Sequence, residues 1–156
     1  MNLAIVLDLI SVFFAGLLAG MEFVIHYGIR KPAEALDERA QLQLRQALVL
    51  RLRVLIPAFF APTAAAAIAA TVVDGAAPGM WLRYAGVLAV LLWIVIRVIG
   101  TVPINSATLT WQLSAPPKNW QALVRRAERF HDIGVWAVVL AFACFLTAMA
   151  LQLTAM

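Results

Sequence analysis

The chain has 156 residues, of which 64% are hydrophobic and only 13% charged, with twelve Lys and Arg against eight Asp and Glu. A soluble domain is about half apolar and about a quarter charged, and a domain of this size still exposes much of its surface. The excess excludes an ordinary soluble enzyme, a disordered tail and a disulfide scaffold, and it points to an integral membrane protein with little outside the bilayer.

A helix needs about 20 mainly apolar residues to span the hydrocarbon. Four stretches qualify, at about 3–28, 52–73, 82–104 and 131–154. The expected fold is a single all-α domain, an integral membrane four-helix bundle with cytoplasmic helical extensions. Asp8 and Glu22 are the only acidic residues of the first span. The leader to Leu7 has no Lys or Arg, and Asp8 follows directly, so no cleaved signal is expected. Gly16-Leu-Leu-Ala-Gly20 fits a helix-packing motif. In the loop 29–51, Pro32 and Glu34 mark a helix start. The Leu-, Gln-, Ala- and Arg-rich stretch to Arg53 then predicts a helical extension of the second span. From Val54 that span is uncharged, with Pro57 and Pro62 interrupting it. Asp74 to Gly79 is a short turn-rich link. The third span carries Arg97, with Trp81 near its start as a membrane-interface anchor. In the loop 105–130, Pro116 and Pro117 stop a helix, and a new one starts near Asn119, an N-cap type. His131 and Asp132 open the fourth span. Cys144, the single cysteine, is a small buried hydrophobe.

Ten of the twelve basic residues lie in the two loops or at their edge: Arg30, Lys31, Arg39, Arg45, Arg51 and, just past its end, Arg53 with the first, Lys118, Arg125, Arg126 and Arg129 in the second. The positive-inside rule places both loops in the cytoplasm and both termini outside, in a bacterial-type inner membrane. This accounts for the pI near 10.0 without nucleic acid as a partner.

Charged side chains at membrane depth cost about 2.5 to 3.5 kcal/mol each on insertion scales, and they usually face the bundle interior. Glu22 and His26 are four apart, on one helix face. Arg97 shares a face with Thr101, with Asn105 modestly rotated and Trp93 one turn deeper. Pro103 loosens that helix end and frees a carbonyl. Glu22, His26, Arg97, Asn105 and His131 therefore reach one level of the bilayer, where a cavity opens toward the cytoplasm. Structural readings stand beside this one. Glu22 and Arg97 pair simply because each buried charge needs a partner. His131 is an interfacial residue, Asp132 a partner for a helix N-terminus, and Asp8 with Arg83 an outer pair without chemistry.

The run Thr101-Val-Pro-Ile-Asn105, followed by Trp111, Pro116-Pro117, Trp120, Arg126, Glu128 and His131, resembles the anthrone-oxygenase-like family of small four-span membrane proteins. The first span, with Ala15-Gly-Leu-Leu-Ala-Gly20, is similar to theirs. The resemblance covers most of the chain and is most specific from Thr101 to His131. The family often has Trp shortly before the His, where Ala127 and Phe130 stand here. It often has Arg three residues after the His, where Gly134 stands, so an anion-anchoring role is missing or moved to Arg97.

Three functions follow as expectations. The first is an oxygenase acting on a hydrophobic phenolic or quinone-like substrate, as the resemblance implies. His131 or His26 would act as general base, Arg97 and Asn105 would stabilise an oxyanion, and dioxygen would react without a cofactor. The second is a metal site of Glu22, His26 and His131, a two-His, one-carboxylate set suited to non-haem iron or to copper, or a haem held by the two histidines. The third is a non-enzymatic membrane subunit or binder of lipophilic ligands. A homo-oligomer is compatible with each. A transporter fits less well, because the paired broken helices are missing.

Overall fold

The computed structural model describes residues 3–73 and 78–155, and within them the chain is all-α. Four helices form a bundle: α1 Leu3–Glu34, α2 Glu38–Val73, α3 Met80–Thr108 and α4 Trp120–Thr154. Each is long and apolar enough to cross a membrane. α1 packs on α2 and α4, while α3 packs on α4 and less extensively on α2. α1 and α3 thus face each other across the bundle diagonal.

The outer faces carry large apolar side chains, among them Phe13, Leu88, Leu92, Ile99, Trp136 and Leu140, all exposed. Water penalises such a surface, whereas lipid accepts it. The interior is built from small residues: Ala15, Ala19, Ala67, Ala70, Ala141 and Ala148 are buried. Lipid supplies no hydrophobic drive between helices, so close backbone approach and polar contacts hold them together. Gly86 is one such approach, because a Cβ there would overlap the Phe145 ring. In the Gly16–Gly20 motif only the first glycine works this way. A Cβ on Gly16 would lie 3.1 Å from Phe142, but one on Gly20 meets nothing within 4 Å.

α2 runs unbroken through Pro57 and Pro62, so the prolines do not interrupt the span. The Thr63 hydroxyl donates to the Phe59 carbonyl at 2.7 Å, in the stretch where each missing proline N–H leaves a carbonyl short of a partner. The turn-rich link Asp74 to Gly79 lies outside the described residues up to position 77. Gly79, just before α3, has φ +83°, and a Cβ there would come within 2.9 Å of the Ala148 Cα. Both conditions call for glycine.

The helical extensions are present. α2 begins at Glu38, well ahead of its uncharged stretch. Gln46 fixes this extension to the α3–α4 loop by donating to the carbonyls of Thr108 and Trp111, each at 2.9 Å. α4 begins at Trp120, directly after Asn119, although the Asn119 side chain makes no capping bond. His131 and Asp132 therefore lie inside a helix rather than at its start. The helix dipole acts only within the first turn, so the N-terminal role expected for Asp132 is overturned.

Two π-helical turns interrupt the α-helical hydrogen bonding, Val24–Ile29 in α1 and Arg97–Thr101 in α3. Such turns are rare and are found frequently at functional sites. The second has local causes. Phe130 packs against Gly100 so closely that a Cβ would fall inside its ring. Pro103 cannot donate, and the Val102 N–H bonds back to the Arg97 carbonyl.

Near the chain termini, Arg83 Nη2 donates to Asp8 Oδ2 at 2.6 Å and to Gln152 Oε1 at 2.5 Å. All three residues are buried. The Asp8–Arg83 pair expected from the sequence is thus in place.

Candidate functional site

An apolar bundle offers few acceptors, so a buried charge must find its partner across the interior. At the end carrying the α1–α2 and α3–α4 loops, Arg97 Nη1 donates to Glu22 Oε2 at 3.0 Å. Glu22 is 0% and Arg97 5% exposed, so the pair is desolvated and joins the two diagonal helices. The guanidinium lies 5.6 Å from the centre of the Trp93 ring, a cation–π contact that floors the site.

His131 on α4 completes the cluster. Its Nδ1 lies 3.1 Å from Arg97 Nη1 and 3.0 Å from Glu22 Oε2. The contact with Arg97 has hydrogen-bond geometry. A guanidinium can only donate, so where Arg97 makes this bond Nδ1 accepts and the ring proton sits on Nε2; a proton on Nδ1 would instead face the Glu22 carboxylate. That Nε2 is buried and has no partner among the described residues. In the tautomer that accepts from Arg97, it is a donor in want of an acceptor.

His26 stands beside it on the first π turn, with the two imidazole centroids 5.9 Å apart. Its Nδ1 is 3.0 Å from Asp132 Oδ1, close but off the line of a hydrogen bond. Arg30 gathers the acidic rim. It donates to Asp132 at 3.0 Å and reaches Glu128 at 3.2 Å and Glu34 at 3.5 Å.

These groups surround a cavity of about 150 Å³. His26, Arg97, Asn105 and His131 line it, and Glu22 sits behind Arg97, outside the lining. The depth agreement read from the sequence is therefore a real convergence. The opposite wall chemistry is apolar: Leu44, Leu48 and Leu52 from the α2 extension line the same space. A volume of this order accepts a single aromatic ring in a protein interior.

One lining residue escaped the sequence reading. Arg45, counted there only as a loop charge, is on α2 and donates through Nη2 to Asn105 Oδ1 at 2.9 Å. Burial pushes its guanidinium below the ordinary value, and the nearby negative charge of Glu128 works the other way. The available signal was the helical spacing of Leu44, Leu48 and Leu52, an apolar stripe that brings its neighbour Arg45 inward.

As metal ligands, Glu22, His26 and His131 fit poorly. Among the described residues no three His, Cys, Asp or Glu groups are arranged to hold a metal ion. Arg97 Nη1 already provides the cation between Glu22 and His131, and a metal there would face its charge directly. The side chains present can move a proton, donate hydrogen bonds to a developing oxyanion, and hold an apolar ring. Set against family models, curated proteins and solved structures, the chain finds no match.

Proposed function

We propose that the chain is a membrane-embedded oxygenase of the anthrone-oxygenase-like kind, acting on a hydrophobic phenol-like or quinone-like substrate. One observation carries the reading: two imidazoles, a buried ion pair and an apolar wall share one cavity. The basic loops lie in the cytoplasm and both termini outside, in keeping with the positive-inside rule, so the cavity opens toward the cytoplasmic face.

The substrate ring lies along Leu44, Leu48 and Leu52. His26, beside Asp132, takes a proton from a methylene made acidic by an adjacent carbonyl. The His131 Nε2–H, held in that tautomer by Arg97, and the Asn105 amide donate to the enolate oxygen that forms. A neutral imidazole used as a donor is an established way to stabilise such an oxyanion. Dioxygen is the oxidant. The carbanion combines with it, one oxygen atom becomes a new carbonyl oxygen, and the other leaves as water with the two methylene hydrogens.

Oxygen uptake by the purified chain with an anthrone-like phenol tests this. Replacing His26 with Asn should lower turnover by roughly 10²- to 10⁴-fold, and replacing His131 with Leu by roughly 10²- to 10³-fold. Full turnover in both variants overturns the assignment. Saturable binding without oxygen consumption would make the chain a ligand-binding protein instead.

A further inference from the structure

Arg45, partly buried, stands apart from the other arginines of the interior. Arg97 pairs with Glu22 and Arg83 with Asp8, and the partly buried Arg30 meets three carboxylates. Among the described residues Arg45 has no carboxylate at ion-pair distance; its one hydrogen bond goes to a neutral amide. Its Nε is buried without a partner. A partly buried cation with no contacting carboxylate, felt only by the more distant charge of Glu128, gives up hydration without an ion pair, which makes the arrangement informative.

The amide bond has a directional consequence. Arginine has no acceptor, so Asn105 must turn its oxygen to Arg45 and keep both N–H donors for something else. Thr101, one turn before Asn105, has a buried hydroxyl with no partner among the described residues. In the tautomer that accepts from Arg97, His131 Nε2–H is the fourth unmet donor. Arg45, Thr101, Asn105 and His131 all line the one cavity. Four donors and a positive charge meet there, and among the described residues none has a protein acceptor for the hydrogen in question. The carboxylates that also line the cavity, Glu34 and Glu128, are held by Arg30 at the rim.

We propose that the cavity recognises a hydrophobic monoanion, an aryl carboxylate or an acidic phenolate. Arg45 receives the charge, Asn105 and Thr101 complete its hydrogen bonds, and the leucine wall holds the ring. The proposal rests on the substrate-pocket reading above and names the substrate's charge. It also gives the anion-anchoring role to α2, outside the third and fourth spans.

The test compares benzoate, whose single ring matches the cavity volume, with its neutral methyl ester, using ligand-dependent thermal unfolding of the full chain in detergent. The acid should bind roughly ten- to a hundred-fold more tightly than the ester, as one charge-assisted hydrogen-bond set implies. Arg45→Gln should reduce that preference to within about threefold while the ester still binds. Asn105→Asp offers a near-isosteric second variant. It places a carboxylate against Arg45, satisfies the charge internally, and should abolish the preference even if Arg45→Gln fails to fold. Arg45→Lys should keep part of it. Equal binding of acid and ester by the wild type overturns the proposal and leaves the pocket reading standing. An undiminished preference in Asn105→Asp also overturns it. Binding of neither compound overturns the proposal and the pocket reading together.

Discussion

The bundle contains two buried arginine–carboxylate pairs of nearly identical construction and different consequence. Asp8 with Arg83 and Glu22 with Arg97 each join α1 to α3 across the diagonal, and each pair is separated by 75 positions in the chain. Because α1 and α3 run parallel, the pairs form two rungs about four turns apart. At the rung nearest the termini, Gln152 supplies a further acceptor for Arg83, the helix backbone is regular, and none of the three residues lines the cavity. At the other rung, the third member is a histidine with a buried ring nitrogen that has no partner among the described residues, π turns flank it, and open space lies beside it. The ion pair is common to both rungs. Neighbouring space and unsatisfied polar atoms are what turn one of them into a site.

The largest expected effect tests whether the rungs share a structural role. Removing one partner of a buried pair costs about 3 to 5 kcal/mol, because the other charge is left alone. Arg83→Met and Arg97→Met should therefore both lower the unfolding midpoint steeply in detergent. Replacing both partners of a rung by apolar residues should restore most of that loss. The rungs should then part company. The Asp8–Arg83 double replacement keeps oxygen uptake per folded molecule, and the Glu22–Arg97 one does not, since His131 loses the donor that sets its tautomer. Equal activity in the two double variants would erase the distinction.

A smaller effect probes the π turn. Gly100→Ala forces a Cβ against the Phe130 ring, and overpacking of this kind costs about 1 to 3 kcal/mol. Since the turn carries Arg97 and Thr101, ligand protection should weaken along with thermal stability; stability loss alone would detach the turn from the site. The smallest effect belongs to the rim. Arg30 is partly exposed, and Arg30→Gln should change stability by only about 0 to 1 kcal/mol, with a salt dependence. A larger loss in unfolding experiments at raised ionic strength would mean the rim is more closed than its exposure indicates.

Much of this was legible in the sequence because charges in apolar runs obey a strict rule: they pair. Asp8, Arg83, Glu22 and Arg97 could be matched by depth before any helix was placed. The role of Asp132 was not legible, because the start of an apolar run and the start of a helix are different boundaries. α4 begins at Trp120, well before its apolar stretch, and Asp132 serves as a side-chain partner to Arg30 and His26. The separation of His26 from Glu22 was hidden for another reason. An i,i+4 argument assumes an α-helical period, and the π turn beginning at Val24 changes the phase between them. Glu22 then meets Arg97 and His131, while His26 meets Asp132. Arg45 was hidden by its composition, one arginine among six basic loop residues, until the leucine stripe beside it was seen to face inward.

The length of α2 has a consequence for how any ligand is counted. At 36 residues the helix is about 54 Å long, well beyond the roughly 30 Å of hydrocarbon. The cavity follows its projecting part, from Leu52 beside the uncharged stretch to Gln41, about 16 Å farther out. Such a cavity straddles the boundary between two phases. A hydrophobic monoanion concentrates at that same boundary, its ring in lipid and its charge in water. Occupancy is then governed by the ligand's mole fraction in the membrane. An affinity expressed per litre of buffer should fall as lipid is added at fixed protein, while the same affinity expressed per mole of lipid should stay constant.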